Sequence, residues 1–255
     1  MTFDLSTLLL QWAAGGLLFC WVTTRRREVG LGYGWLLRIV YGVMAVGALL
    51  AGLSDSGTGA TIRNVGAAVT ALGAFGALAV SARRTHRARG LDGFDPRLDL
   101  VAPVAGLCSL AGAASFVGGD YPLSLGRLVV GAVFLGAVAD SMLLGHWYLV
   151  QPGLRRDPIK ELVRIVAVLW PLELAVWLIP PGMVSVLDGS VDDGYGGLIG
   201  WMWVLASLTT IGLVIATWKA LEEPSYSAVM AATGLMYLAI LTGFGMDLLP
   251  RALLS

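Results

Sequence analysis

Apolar residues run along the chain in eight long blocks, each closed by charged or turn-forming residues. A helix needs ~20 predominantly apolar residues to cross ~30 Å of hydrocarbon. The pattern therefore predicts transmembrane helices over roughly 7–24, 31–53, 61–82, 98–118, 125–150, 160–187, 196–219 and 226–249. The expected fold is all-α, a polytopic membrane protein with eight transmembrane helices.

The connections alternate in charge. The first, third, fifth and seventh hold Arg25-Arg26-Arg27, Arg83-Arg84 with His86, Arg87 and Arg89, Arg155-Arg156 with Lys160, and Lys219. The others are short and acidic or neutral, with Asp55, Asp120, and the run Asp188 to Asp193. Basic loops stay on the cytoplasmic side, so both termini are expected on the outer face of the plasma membrane. Asp4 precedes the first block and Arg25-Arg26-Arg27 follows it. A cleavable signal has the reverse order, so the first block is expected to be a retained span. Gly90 to Pro96 and Asp188 to Gly197 have turn chemistry and read as solvated connectors.

Composition supports this and excludes other classes. Of the 255 residues, 57% are hydrophobic and 13% charged, with a net charge of zero. Soluble domains carry about 25% charged residues. No net field favours nucleic acid. Cys20 and Cys108 lie inside apolar blocks and read as buried filler. No spacing of His, Cys and acids marks a metal site, and no P-loop, GxSxG or HExxH is present. A haem held by two histidines has no second intramembrane histidine to use.

Shifting the chain by 126 positions lays Leu17-Leu18 on Leu143-Leu144, Trp21 on Trp147, and Arg38-Ile39-Val40 on Arg164-Ile165-Val166. A shift of 128 aligns Gly106-Leu107 with Gly234-Leu235 and Phe116 with Phe244. These matches suggest a 4+4 repeat, with four-helix units over 1–124 and 125–255. Four spans per unit insert the same way up, which makes the repeat parallel about an axis along the membrane normal.

The candidate chemistry lies in the second half. Asp140 falls near the middle of the fifth block and Glu173 near the middle of the sixth, so adjacent antiparallel spans are expected to hold them at similar depth. An intramembrane carboxylate is costly and functional by default. Without a partner it is expected to be protonated. Two such acids sharing a proton would form a relay. The bland alternative is a protonated acid bonded to a neighbouring helix, or an ion pair with Arg38 or Arg164. Trp170, Glu173 and Trp177 share a helical face after Pro171 and suggest a pocket wall for a flat ligand; an aromatic core face explains the tryptophans equally. His146, in Gly145-His146-Trp147-Tyr148, is expected at headgroup level or as a proton partner for a quinone carbonyl.

In size and span count the chain is similar to eight-helix membrane subunits of respiratory complexes: quinol-interacting anchors of molybdopterin oxidoreductases and the smaller subunit of bd-type oxidases. No signature motif of either is present, so this fold-level likeness transfers no site residues. The leading expectation is a membrane subunit of an electron-transfer complex, in contact with other subunits and with quinone. Asp140, Glu173 and His146 would handle protons, and Trp170 and Trp177 would line the pocket. The alternatives are a proton-coupled transporter of a small solute and a scaffold subunit without chemistry. No cofactor is specified by the residues.

Overall fold

A computed structural model describes residues 4–88, 94–180 and 182–254. The described residues are almost entirely helical. The helices are α1 (Leu5–Thr24), α2 (Leu31–Ala51), α3 (Thr58–Ala88), α4 (Val101–Val117), α5 (Tyr121–Val150), α6 (Asp157–Leu178), α7 (Met183–Leu187), α8 (Leu198–Glu222) and α9 (Tyr226–Leu253). A 3-10 turn, Pro96–Leu100, leads into α4.

Local chemistry sets the ends. Asp4 caps α1 by accepting from the Ser6 and Thr7 amides, and Asp120 caps α5 through the Leu123 amide. Ser225 does the same for α9. Each cap satisfies amides that the first helical turn leaves unpaired. α6 begins with Asp157-Pro158 and ends where Ile179 turns extended before Pro180. A residue before proline is disfavoured in the helical region.

Among the described residues, seven helical segments are long and apolar enough to cross a membrane: α1, α2, α3, the 3-10 turn with α4, α5, α8 and α9. α6 has the length, at 22 residues, but also carries Asp157, Lys160, Glu161, Arg164 and Glu173. Exposed Val43, Leu72, Leu205 and Leu241 line the outside of the bundle. An apolar exterior around a buried polar interior marks a multi-pass helical membrane protein.

The helices close two rings. α1 packs on α2, α2 on α3, α3 on α4, and α4 on α1; α5, α6, α8 and α9 close a second ring in the same order. α1 and α5 join the rings. A Cβ on Gly15 would stand 1.8 Å from the Ala132 carbonyl oxygen, and one on Gly136 would stand 2.3 Å from the Gly15 carbonyl carbon. Only glycine allows this approach.

α1 begins and α9 ends at one end of the bundle, here the termini face. Arg25, Arg26, Arg155 and Arg156 lie at the opposite end, here the arginine face. Ion pairs pin both ends. Arg63 of α3 bridges Asp4 (2.6 Å) and Asp55 (2.5 Å) at the termini face. Arg25 and Arg26 both reach Glu161 at the arginine face.

Several expectations are corrected. The sixth block was expected to run to 187; α6 stops at Leu178, and α7 follows as a separate short helix. Cys20 is buried as expected, but Cys108 is exposed on the outside of α4. The acidic connector before α8 is more than solvated chain. Asp193 accepts from the Tyr195, Gly197 and Ile199 amides and so caps α8, with Gly197 at φ 87°. Arg89 and Gly90 to Gly93 lie outside the described residues.

Candidate functional site

Polar side chains are buried within the bundle at two levels. Toward the arginine face, Asp140 lies ten residues before the end of α5 and is wholly buried. Its Oδ1 accepts a hydrogen bond of 2.5 Å from the Tyr41 hydroxyl of α2. Its Oδ2 has no partner among the described residues. The Tyr33 hydroxyl approaches the Asp140 carbonyl oxygen at 3.4 Å. Neither expected arginine pairs with it. Arg38 binds Asp99 instead, through Nε to Oδ1 (2.7 Å) and Nη2 to Oδ2 (2.6 Å), and Arg164 stacks over Trp218.

Toward the termini face lies a larger cluster. Glu173 of α6 is wholly buried and its Oε1 accepts from the Trp177 indole N–H at 2.8 Å. Its Oε2 has no hydrogen-bond donor among the described residues. Asp247 on α9 is its acidic neighbour in the cluster, linked to it through Trp177 and Arg251. Asp247 is in turn held by Arg251, one helical turn on, in a two-point pair of 2.8 and 2.7 Å. Arg127 of α5 donates to the Val176 and Ile179 carbonyl oxygens at 3.0 Å each, satisfying the end of α6. The guanidinium carbons of Arg127 and Arg251 lie 4.7 and 5.6 Å from the Trp177 ring centroid.

α1 contributes Gln11, also wholly buried, with neither amide atom hydrogen-bonded among the described residues. Gly131 of α5 makes room for this group. A Cβ there would stand 2.3 Å from Gln11 Nε2, 2.5 Å from Asp247 Oδ1 and 3.3 Å from an Arg251 nitrogen. Gln11, Asp247 and Arg251 thus converge on one point.

The structure does not set Asp140 and Glu173 level. Asp140 faces Tyr41 and Glu173 faces Asp247. Glu173 sits beside the stretch of α5 near Gly131, about nine residues from Asp140, or ~13 Å along the axis at 1.5 Å per residue. The cause is where α6 ends: stopping at Leu178 leaves Glu173 five residues from the termini face. Trp177 joins Glu173 in the interior, whereas Trp170 is half-buried and donates its indole N–H to the Ser207 carbonyl at 2.9 Å. His146 is exposed, with Nδ1 3.4 Å from the Tyr237 hydroxyl and the two rings edge to face.

Chemically, the termini-face cluster can hold a proton between acids and stabilise negative charge with two guanidiniums. A fully buried carboxylate must be paired or protonated. Among the described residues no group of three or more His, Cys, Asp and Glu side chains is placed to hold a metal.

Gln11, Arg127 and Tyr41 were not singled out in the sequence. A polar residue inside an apolar block was the available signal for the first two. Tyr41 gave none, since tyrosine is ordinary in a membrane helix. Compared with protein-family models, curated protein sequences and solved structures, the chain matches none.

Proposed function

We propose that this protein is an eight-span subunit of a membrane electron-transfer complex that handles protons at buried carboxyls, with both termini on the outer face of the plasma membrane. The placement of Arg25, Arg26, Arg155 and Arg156 at the end opposite the termini supports that orientation. The two rings of four helices, closed in the same order, support a parallel duplication. The observation that carries the functional reading is the burial of Asp140 and Glu173, each with a carboxyl oxygen that no donor reaches among the described residues.

Proton handling is the centre of this reading, and quinone contact follows from it. A quinone ring stacking on Trp177 must displace Arg127 or Arg251, which already lie over that ring. Trp170 and His146, nearer the surface, are the residues it meets first in the reading. The test is quinol-linked activity of the protein purified with its partner subunits. Glu173→Gln is expected to lower turnover by ~10²-fold or more, the usual contribution of a positioned acid or base, with assembly intact. Full activity in both Glu173→Gln and Asp140→Asn overturns the reading.

A proton-coupled transporter is the second reading, favoured by one observation. The termini-face cluster takes Gln11 from the first ring and its other members from the second, so relative movement of the rings would open it. Proton-driven uptake into vesicles holding the protein alone, lost in Glu173→Gln, selects this reading over the first.

A further inference from the structure

We propose that one exchangeable proton is held between the Glu173 and Asp247 carboxyls, with Arg251 keeping Asp247 the charged member and Gln11 lining the position beside them. The proposal rests on the proton-handling reading and names the partner, the ion and the resting place.

Two ionised carboxylates offer only acceptors and cannot hydrogen-bond one another. Glu173 and Asp247 are nevertheless neighbours in one cluster, since the Trp177 indole that holds Glu173 lies under the Arg251 guanidinium that holds Asp247, and both acids are wholly buried. Close acids of this kind share one proton between them. Arg251 decides which acid keeps the charge, because it forms both of its bonds to Asp247. Glu173 therefore carries the proton, and its Oε2, which no donor among the described residues reaches, is the oxygen available to bear it.

The surrounding groups make the proton exchangeable rather than locked. On α6, the Trp177 N–H donates to Glu173 Oε1 at 2.8 Å. On α5, Arg127 lies over the same indole. On α9, Asp247 and Arg251 stand beside it as a two-point pair. From α7 and α8, Met183, Val186 and Trp203 pack against Trp177. Two acids and two guanidiniums thus make the deprotonated cluster neutral and the protonated one singly positive. From α1, Gln11 brings its Nε2, without a hydrogen-bond partner among the described residues, to the point where Asp247 Oδ1 also lies. An apolar side chain there would leave Asp247 closed off; an amide provides a polar contact on the side facing the first ring.

The test is infrared spectroscopy of the purified full chain, carrying carbon-13 in its glutamate carboxyls so that Asp140 does not contribute. A labelled carboxylic C=O band is expected at neutral pH and is expected to vanish in Glu173→Gln. In Asp247→Asn the band is expected to shift in frequency. It is also expected to disappear at a pH lower by about one unit or more, a tenfold weaker hold, because Arg251 then turns to Glu173. A band that survives Glu173→Gln overturns the proposal. So does an Asp247→Asn band unmoved in frequency and titration. Should Asp247→Asn fail to fold, carbon-13 aspartate in the unmutated chain serves. Its carboxylate stretch must respond over the pH range of the Glu173 band, and independence overturns the proposal. Vesicles that move no protons despite a coupled pair overturn the function and leave the shared proton standing. Proton movement with uncoupled acids does the opposite.

Discussion

At the scale of single residues, small changes meet closed space. Gly131 has Gln11, Asp247 and Arg251 pressed against the position a side chain would take. Gly131→Ala is expected to lower stability by about 1–3 kcal/mol, the usual cost of overpacking, seen as a lower melting temperature in detergent. Gly126→Ala, five residues earlier on α5 with nothing within 4 Å of its added Cβ, is the control. It is expected to be neutral or to gain about 0.5–1 kcal/mol from lost backbone freedom. The buried Arg38–Asp99 pair gives a second prediction. Arg38→Met alone leaves Asp99 charged and unpaired and is expected to cost about 3–5 kcal/mol, whereas Arg38→Met with Asp99→Leu recovers most of that loss. A double-mutant cycle on thermal unfolding measures it; additive losses contradict it. Asp140 and Glu173 were legible in the sequence because charge inside an apolar block stands out. That Tyr41 and Asp247 are their neighbours was not, since these lie 99 and 74 positions away and only folding brings them close.

At the scale of elements, the caps and the crossing of α1 with α5 carry the predictions. Asp193 stands before α8 and is held below the ordinary carboxylate range, first by the Gly197 amide. A depressed acid adds stability at pH values above its unfolded value, ~3.9, and that stability is lost as pH falls through the lower folded value. Asp193→Ala is therefore expected to speed hydrogen exchange at the Ile199 amide at pH 7, with the difference from wild type shrinking below about pH 4. A difference that persists in strong acid would contradict the cap. At the crossing, Gly15→Ala and Gly136→Ala each drive a methyl into backbone. Both are expected to loosen the two rings, read as faster protease cleavage in the 151–156 connection. Most element boundaries were legible from charge and caps. The end of α6 was not, because Val184, Val186 and Leu187 continue its apolar character beyond Pro180 and hydropathy does not register a break in the backbone.

At the scale of the whole molecule, the arginine face fixes what the proposed orientation must show. A cysteine placed beside Arg156 in a background lacking Cys20 and Cys108 is expected to resist a membrane-impermeant maleimide in intact cells, while one placed beside Asp120 is labelled. The reverse pattern would turn the molecule over. Sequence alone determined the all-helical class, the spacing of apolar blocks and the alternation of charge, because hydrocarbon length and desolvation act on local stretches of chain. The tertiary structure alone decided that Glu173 meets Asp247, that Asp140 meets Tyr41, and that Gln11 reaches in from the other ring. Those meetings depend on where each helix stops and how closely glycine lets two backbones approach, and both are set by packing between segments far apart along the chain.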